Sequence, residues 1–169
     1  MFRRTALKAN LGRGDEYVRK VFDNVASKYD MMNDVLSLGV HRVWKQHFVD
    51  ACVAPKPGKR YLDVAGGTGD IAFKIVDNLR ANQNSFKAAA AASQPRHSNH
   101  ALGDVVVYDI NPNMLAEGEA RSKRNGYALS GMMQWIEGSG EELPFADNSF
   151  DSYTVAFGIR NFNDRPKAL

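Results

Sequence analysis

Tyr61-Leu62-Asp63-Val64-Ala65-Gly66-Gly67-Thr68-Gly69-Asp70 runs from an apolar strand pattern through a carboxylate into three glycines and on toward a helix. Such a bend makes a nucleotide-sized pocket. Glycine has no Cβ to hold a ligand off the backbone, and the first N–H groups of a helix lack internal partners. Two cofactor chemistries compete for it. Gly67-Thr68-Gly69-Asp70-Ile71-Ala72 fits the G-x-G-x-x-G/A dinucleotide pattern, and Asp109, closing the apolar run 105–108, stands where an acid would hold a ribose. Asp63 inside the strand and Asp70 directly after the glycines argue the other way. Two carboxylates repel a diphosphate and attract a ligand with a cationic centre and an ammonium group, such as S-adenosylmethionine. The bend is therefore expected to serve a methyl donor rather than the hydride transfer of an NAD(P)-dependent dehydrogenase. The plainer alternative for Asp63 is a capped structural carboxylate.

The flanking pattern supplies the elements that hold this bend. A helix capped by Asp15 carries Val18, Val21, Phe22, Val25 and Tyr29 on one face, and a second carries the stripe Val40, Val43, Trp44, His47, Phe48 and Ala51. Trp44 is expected in the core, with His41 on the helix surface and His47 at the core edge. Pro55, Pro57 and Gly58 end this helix before a strand at about 60–65, which the glycine bend joins to a helix at about 70–80. Residues 81–103 are polar and alanine-rich, with five consecutive alanines at 88–92, and are expected to form an inserted mobile surface loop. Strand two follows and ends at Asp109. Asn111 as N-cap and Pro112 at the first helical position start a helix that ends near Gly126. Strands at 132–137 and 152–157 complete the pattern. Strands alternating with helices predict an α/β fold, a parallel doubly wound sheet with N-terminal helices. Four strands would leave the last one a bare edge, so the expectation is a domain truncated after strand four.

The 169 residues suit one domain, with a basic leader or arm at 1–14 and the folded domain at 15–169. Net charge is +3, and Arg3, Arg4, Lys8 and Arg13 account for it; the rest is slightly acidic. The positive balance is thus no argument for a nucleic-acid surface. An acid-free basic leader resembles a mitochondrial transit peptide, with a disordered arm as the alternative. No apolar run approaches the ~20 residues of a spanning helix. Cys52 is the single cysteine, which excludes an intrachain disulfide, and no metal site is expected.

Four segments, in order and spacing, resemble the ubiquinone/menaquinone biosynthesis C-methyltransferase family. They are 63–70, Asp109-Ile110-Asn111-Pro112, Glu141-Glu142-Leu143-Pro144-Phe145 and Phe157-Gly158-Ile159-Arg160-Asn161. Lys28-Tyr29-Asp30, Met32-Asn33-Asp34 and the run 39–45 extend the likeness to the N-terminal helices, so that it covers about residue 17 to the end. The insertion and the basic leader are similar to those of mitochondrial members, which methylate a ring carbon of a 2-methoxy-6-polyprenyl-1,4-benzoquinol. The resemblance implies a class I, Rossmann-like fold and S-adenosyl-L-methionine as cofactor. It implies that Asp63, Gly67, Thr68 and Gly69 lie under the methionine part, that Asp109 accepts the ribose hydroxyls, and that Tyr29 and Asn33 belong to a lid.

Ser139 and Gly140 stand where relatives carry an acidic or amide residue and alanine beside the adenine. Ala156 stands where serine is frequent. Both departures bear on affinity. Carbon methylation needs a deprotonated ring hydroxyl, which singles out Arg160 as stabiliser of the phenolate or holder of a basic water, with Asn161 orienting that water. The plain alternative for this pair is a helix-start salt bridge and cap. The implied partners are the polyprenyl benzoquinol, other ubiquinone-synthesis proteins and a peripheral contact with the inner membrane from the matrix side, with a homodimer possible and no nucleic acid. An amine methyltransferase acting on nucleic acid would carry an Asn/Asp-Pro-Pro-aromatic signature at 157–161, and it is absent. A non-catalytic scaffold that binds the cofactor is the alternative from another functional class.

Overall fold

A computed structural model describes residues 40–82, 103–128 and 131–167. The expected first helix, the leader, Tyr29, Asn33 and residues 83–102 of the expected insertion lie outside the described residues. Helix α1 (Val40–His47) runs into a π-helical stretch, Phe48–Val53, followed by β1 (Arg60–Val64) and α2 (Asp70–Ala81). Then come β2 (Asp104–Asp109), α3 (Pro112–Arg124), β3 (Met133–Glu137), β4 (Ser152–Thr154) and a 3-10 turn, Ile159–Asn161. The four strands form one sheet in the order β3-β2-β1-β4, every neighbouring pair parallel. This is the wound arrangement that the alternation of elements predicts.

Both faces of the sheet are covered, so its central strands are apolar on both sides. On β2 the side chains alternate. Val105 and Val107 join Ile71, Ala72, Ile75, Val76 and Leu79 of α2, whereas Val106 and Tyr108 pack with Leu62, Val64, Phe145, Phe150 and Phe162 on the opposite face. Burying one Ile, Leu or Val side chain contributes roughly 1.5–3 kcal/mol, so α2 is fixed to the sheet mainly by its apolar stripe. The N-terminal end of the sheet is tied by ions. Asp151 accepts from the Arg60 backbone N–H at 2.9 Å and from Lys59 Nζ at 2.7 Å, and the Arg60 guanidinium reaches the fully buried Asp104 at 3.1 Å.

Two expectations are corrected. Most of the stripe assigned to the second helix faces solvent: Val43 and Trp44 are 67% and 65% exposed, and Val40, His47 and Ala51 are exposed as well, whereas Phe48 packs half-buried against the core as expected. What this segment buries is Lys45 and Val49. Lys45 turns inward because its ammonium meets Asp70 at 2.6 Å, its aliphatic stem covering apolar surface, and the π-helical stretch then shifts the phase of the residues after His47. Strand four is shorter than expected. Its pairing with β1 ends at Asp63 with Thr154, because Ala65 (φ 53°) and Phe157 (φ 66°) both take left-handed conformations that bend the two chains out of the sheet.

Candidate functional site

The bend between β1 and α2 sits at the C-terminal edge of the sheet, where ligands of open α/β folds bind. Gly67 (φ 55°) and Gly69 (φ 84°) take the left-handed conformations that close it, and Gly69 N–H donates to Gly66 O at 2.8 Å. At Gly69 conformation and space demand the same residue. A Cβ there would lie 2.5 Å from Trp135 of β3, whose ring fills the space between the bend and Gly118 of α3. Trp135 also contacts Phe73 at 6.0 Å between ring centres, so an aromatic wedge holds the bend from the α2 side.

Asp109, the last residue of β2, is the anchor of the bend. Its Oδ2 accepts from Gly67 N–H and its Oδ1 from Asn111 N–H, both at 2.8 Å. Burial pushes its pKa up, opposed by the backbone N–H groups of Asn111, Gly67 and Ile110. Asn111 caps α3 as expected, its side-chain oxygen accepting from the N–H groups of Asn113 and Met114. Thr68 is buried in the bend.

Asp63 lies beneath the bend and is 2% exposed. Its Oδ1 accepts from the Thr154 hydroxyl at 2.9 Å; its Oδ2 has no hydrogen-bond partner and sits against Gly66. Burial raises its pKa to about 7, with the Thr154 bond opposing and the Asp109 and Asp70 charges adding to the rise. Asp70 behaves differently. Burial works to raise its pKa, yet Lys45 at 2.6 Å and Arg121 at 2.7 Å together hold it below the ordinary carboxylate range. Asp70 is therefore matched by two cations within the fold and adds little field to the bend, in contrast to the sequence argument that counted its charge. Asp63 and Asp109 remain as carboxylates without a cation bonded to them among the described ion pairs.

This asymmetry has a measurable consequence. Because the folded pKa of Asp63 lies above its unfolded value near 3.8, the folded state holds the extra proton between about pH 4 and 7. The contribution is full below pH 4 and is lost as pH rises through 7; Asp109 adds with the same sign and Asp70 with the opposite one. Urea unfolding at pH 5 and pH 8 is expected to show a loss on the order of a few kcal/mol at the higher pH, and Asp63→Asn to remove most of that difference. Equal pH dependence in the variant refutes the assignment to Asp63.

The remaining expected site residues approach from the two edges of the sheet. Gly138 N–H donates to Asp109 O at 2.9 Å, which brings the chain after β3 to the end of β2, and Ser139 and Gly140 follow directly. The Ser139 Oγ accepts from Glu141 N–H at 3.3 Å, so this hydroxyl shapes its own turn. Ala156 is half-buried and packs against the α2-side core. Arg160 and Asn161 occupy the 3-10 turn, with Arg160 exposed, and Gly158 before them lies so close to Ala65 that an added Cβ would meet its side chain at 2.3 Å. Trp135, Glu141 and the cations Lys45 and Arg121 were missed by sequence reasoning. Each acts on residues distant in the chain, and only a three-dimensional contact reveals it. Among the described residues no helix is long and apolar enough to cross a membrane, and no group of three or more His, Cys, Asp and Glu could hold a metal.

The chain is 58% identical over its full length to the 2-methoxy-6-polyprenyl-1,4-benzoquinol methylase, mitochondrial, of Leishmania donovani, and covers 55% of that protein. It spans about half the length of the curated relatives it matches. Among solved structures it resembles a (4+2) cyclase, SpnF (TM-score 0.63, 16% identity, 91% of this chain and 53% of that one). It also resembles the phosphoethanolamine N-methyltransferase 1 of Haemonchus contortus (TM-score 0.56, 12% identity, 84% and 25%). At such identities these two show the fold alone, and the cyclase illustrates that the fold does not fix the reaction. The family model that matches residues 10–169 is more specific: the chain belongs to the ubiE/COQ5 methyltransferase family.

Proposed function

We propose that this chain forms the cofactor-binding part of a mitochondrial enzyme that uses S-adenosyl-L-methionine to methylate a ring carbon of a polyprenyl benzoquinol in ubiquinone biosynthesis. One observation carries the reading. The bend lies between two carboxylates, the buried Asp63 and the half-buried Asp109, which no described cation bonds, and Asp63 Oδ2 has no hydrogen-bond partner. Carboxylates without a bonded cation, raised in pKa by burial, would ionise against a ligand carrying an ammonium and a sulfonium and disfavour a diphosphate. The residues thus fit the cofactor. Asp109 would hold the ribose hydroxyls, Gly67, Thr68 and Gly69 the methionine part, and Ser139 and Gly140 the adenine side, with Tyr29 and Asn33 of the N-terminal segment as the lid.

The cofactor supplies an electrophilic methyl group. The chain's own residues hold donor and ring carbon in line and exclude water, which can contribute ~7–11 kcal/mol. Arg160, permanently charged, stabilises the phenolate formed when the ring hydroxyl loses its proton, or holds the water that takes that proton, and Asn161 orients this water. The likeness to mitochondrial benzoquinol methylases supports a matrix location. A polyprenyl substrate supports peripheral contact with the inner membrane and with other ubiquinone-synthesis proteins, and a homodimer is compatible with it. Isothermal titration tests the cofactor directly: heat is expected with S-adenosylmethionine and none with NADH. Heat with NADH alone overturns the proposal.

A further inference from the structure

The chain after β3 and the chain after β4 leave opposite edges of the sheet, separated by β2 and β1, yet they meet. Residues 138–142 cross the C-terminal ends of the two central strands. Gly138 N–H donates to Asp109 O, and Gly140 lies so close to Val64 of β1 and Phe162 that a Cβ would meet them at 2.8 and 2.7 Å. Beyond that crossing, Glu141 Oε1 accepts from two consecutive backbone N–H groups, Asn163 at 2.6 Å and Asp164 at 3.1 Å. Glu142 adds a surface ion pair with Lys167 at 3.1 Å. Two N–H groups converging on one carboxylate oxygen are a charge-assisted pair of bonds, stronger than neutral ones and specific in direction.

We infer that Glu141 is a positioning residue, a latch that transmits occupancy of the adenine side of the cofactor pocket to the segment carrying Arg160 and Asn161. This rests on the reading of that segment as the reacting end of the site. The coupling follows from the layout. Ser139 and Gly140 flank the adenine side, Glu141 is the next residue, and its carboxylate grips the backbone two and three residues past Asn161. Ordering the 138–142 crossing by a ligand therefore orders the 3-10 turn, and releasing the latch removes the two charge-assisted bonds that tie the backbone just after the turn to that crossing, leaving the packing of Phe162 and Gly158 and the exposed Glu142–Lys167 pair.

Amide hydrogen exchange of this chain, with and without S-adenosylmethionine, tests the latch. Without ligand, Glu141→Ala is expected to speed exchange at Asn163 and Asp164 at least tenfold. With ligand, residues 159–163 are expected to slow at least fivefold in the unsubstituted protein and less than twofold in Glu141→Ala, while the cofactor Kd changes less than threefold. Glu141→Gln keeps an acceptor oxygen and is expected to recover part of both effects, which a merely unfolded loop would not allow. Unchanged basal exchange in Glu141→Ala, or full ligand protection in that variant, overturns the inference. Absence of cofactor binding in the unsubstituted protein overturns the cofactor reading and the transmission together, and basal exchange still distinguishes a latch from none.

Discussion

Asp109→Ala is expected to weaken S-adenosylmethionine binding by roughly 10²–10⁴-fold, which in a calorimetric titration at micromolar protein reads as loss of binding. A carboxylate has about four lone-pair sites. The strong backbone bonds from Gly67 and Asn111 use part of that capacity, and in the proposed complex the ribose hydroxyls would use the rest. Removing two hydrogen bonds to a charged acceptor costs about 1.5–3 kcal/mol each, or two to four powers of ten in Kd. The loss has a second source, because without Asp109 the left-handed Gly67 loses the group that holds its N–H. Asp109→Asn separates the two. It keeps the shape and one acceptor oxygen, and is expected to preserve the fold while losing one to two powers of ten in affinity. Thermal unfolding measured beside the titration distinguishes a collapsed bend from a lost ligand contact. An Asp109→Ala protein that binds within threefold of the unsubstituted one removes Asp109 from the site.

The sequence makes the local features of this site legible and hides the long-range ones. The strand–bend–helix run at 60–81, the end of β2 at Asp109 and the Asn111-Pro112 helix start lie close to where their residue types place them, because a left-handed turn, an N-cap and an apolar strand are decided within a few residues. The α1 stripe shows the opposite case. Periodicity identifies a face but not which face is inward, and the choice falls to the Lys45–Asp70 pair, 25 residues apart and without a local signal. The same pair cancels the charge of Asp70, which the sequence alone counts as free. Strand four ends early because the left-handed conformations at Ala65 and Phe157, neither a glycine, are imposed by the meeting of two chain segments. Of the four left-handed non-glycine residues described, Ala54, Ala65, Asn148 and Phe157, the two that end the β1–β4 pairing border the proposed site. The Glu141 latch spans 22 residues and joins opposite edges of the sheet, a relation that no window of sequence contains.

Arg160→Ala is expected to lower the rate of quinol methylation by about 10²–10³-fold while leaving the cofactor Kd within twofold. Arg160 is exposed and stands on a three-residue 3-10 turn beyond β4, whereas the proposed cofactor contacts come from the bend, Asp109 and the chain after β3. Binding and rate are therefore separable. A guanidinium aimed at a developing phenolate contributes only when that charge appears, so its removal falls on kcat and not on ground-state affinity. Arg160→Lys keeps the charge but loses the planar donor fork and is expected to recover no more than a tenth of the lost rate. Asn161→Ala, which removes only the orienting group for a water, is expected to cost less than Arg160→Ala. The decisive comparison is turnover with a short-chain methoxy-benzoquinol measured alongside a cofactor titration for each variant. A full rate in Arg160→Ala, or a rate loss that tracks a loss of cofactor affinity, refutes phenolate stabilisation by Arg160 and leaves the 3-10 turn a structural cap, its plain alternative.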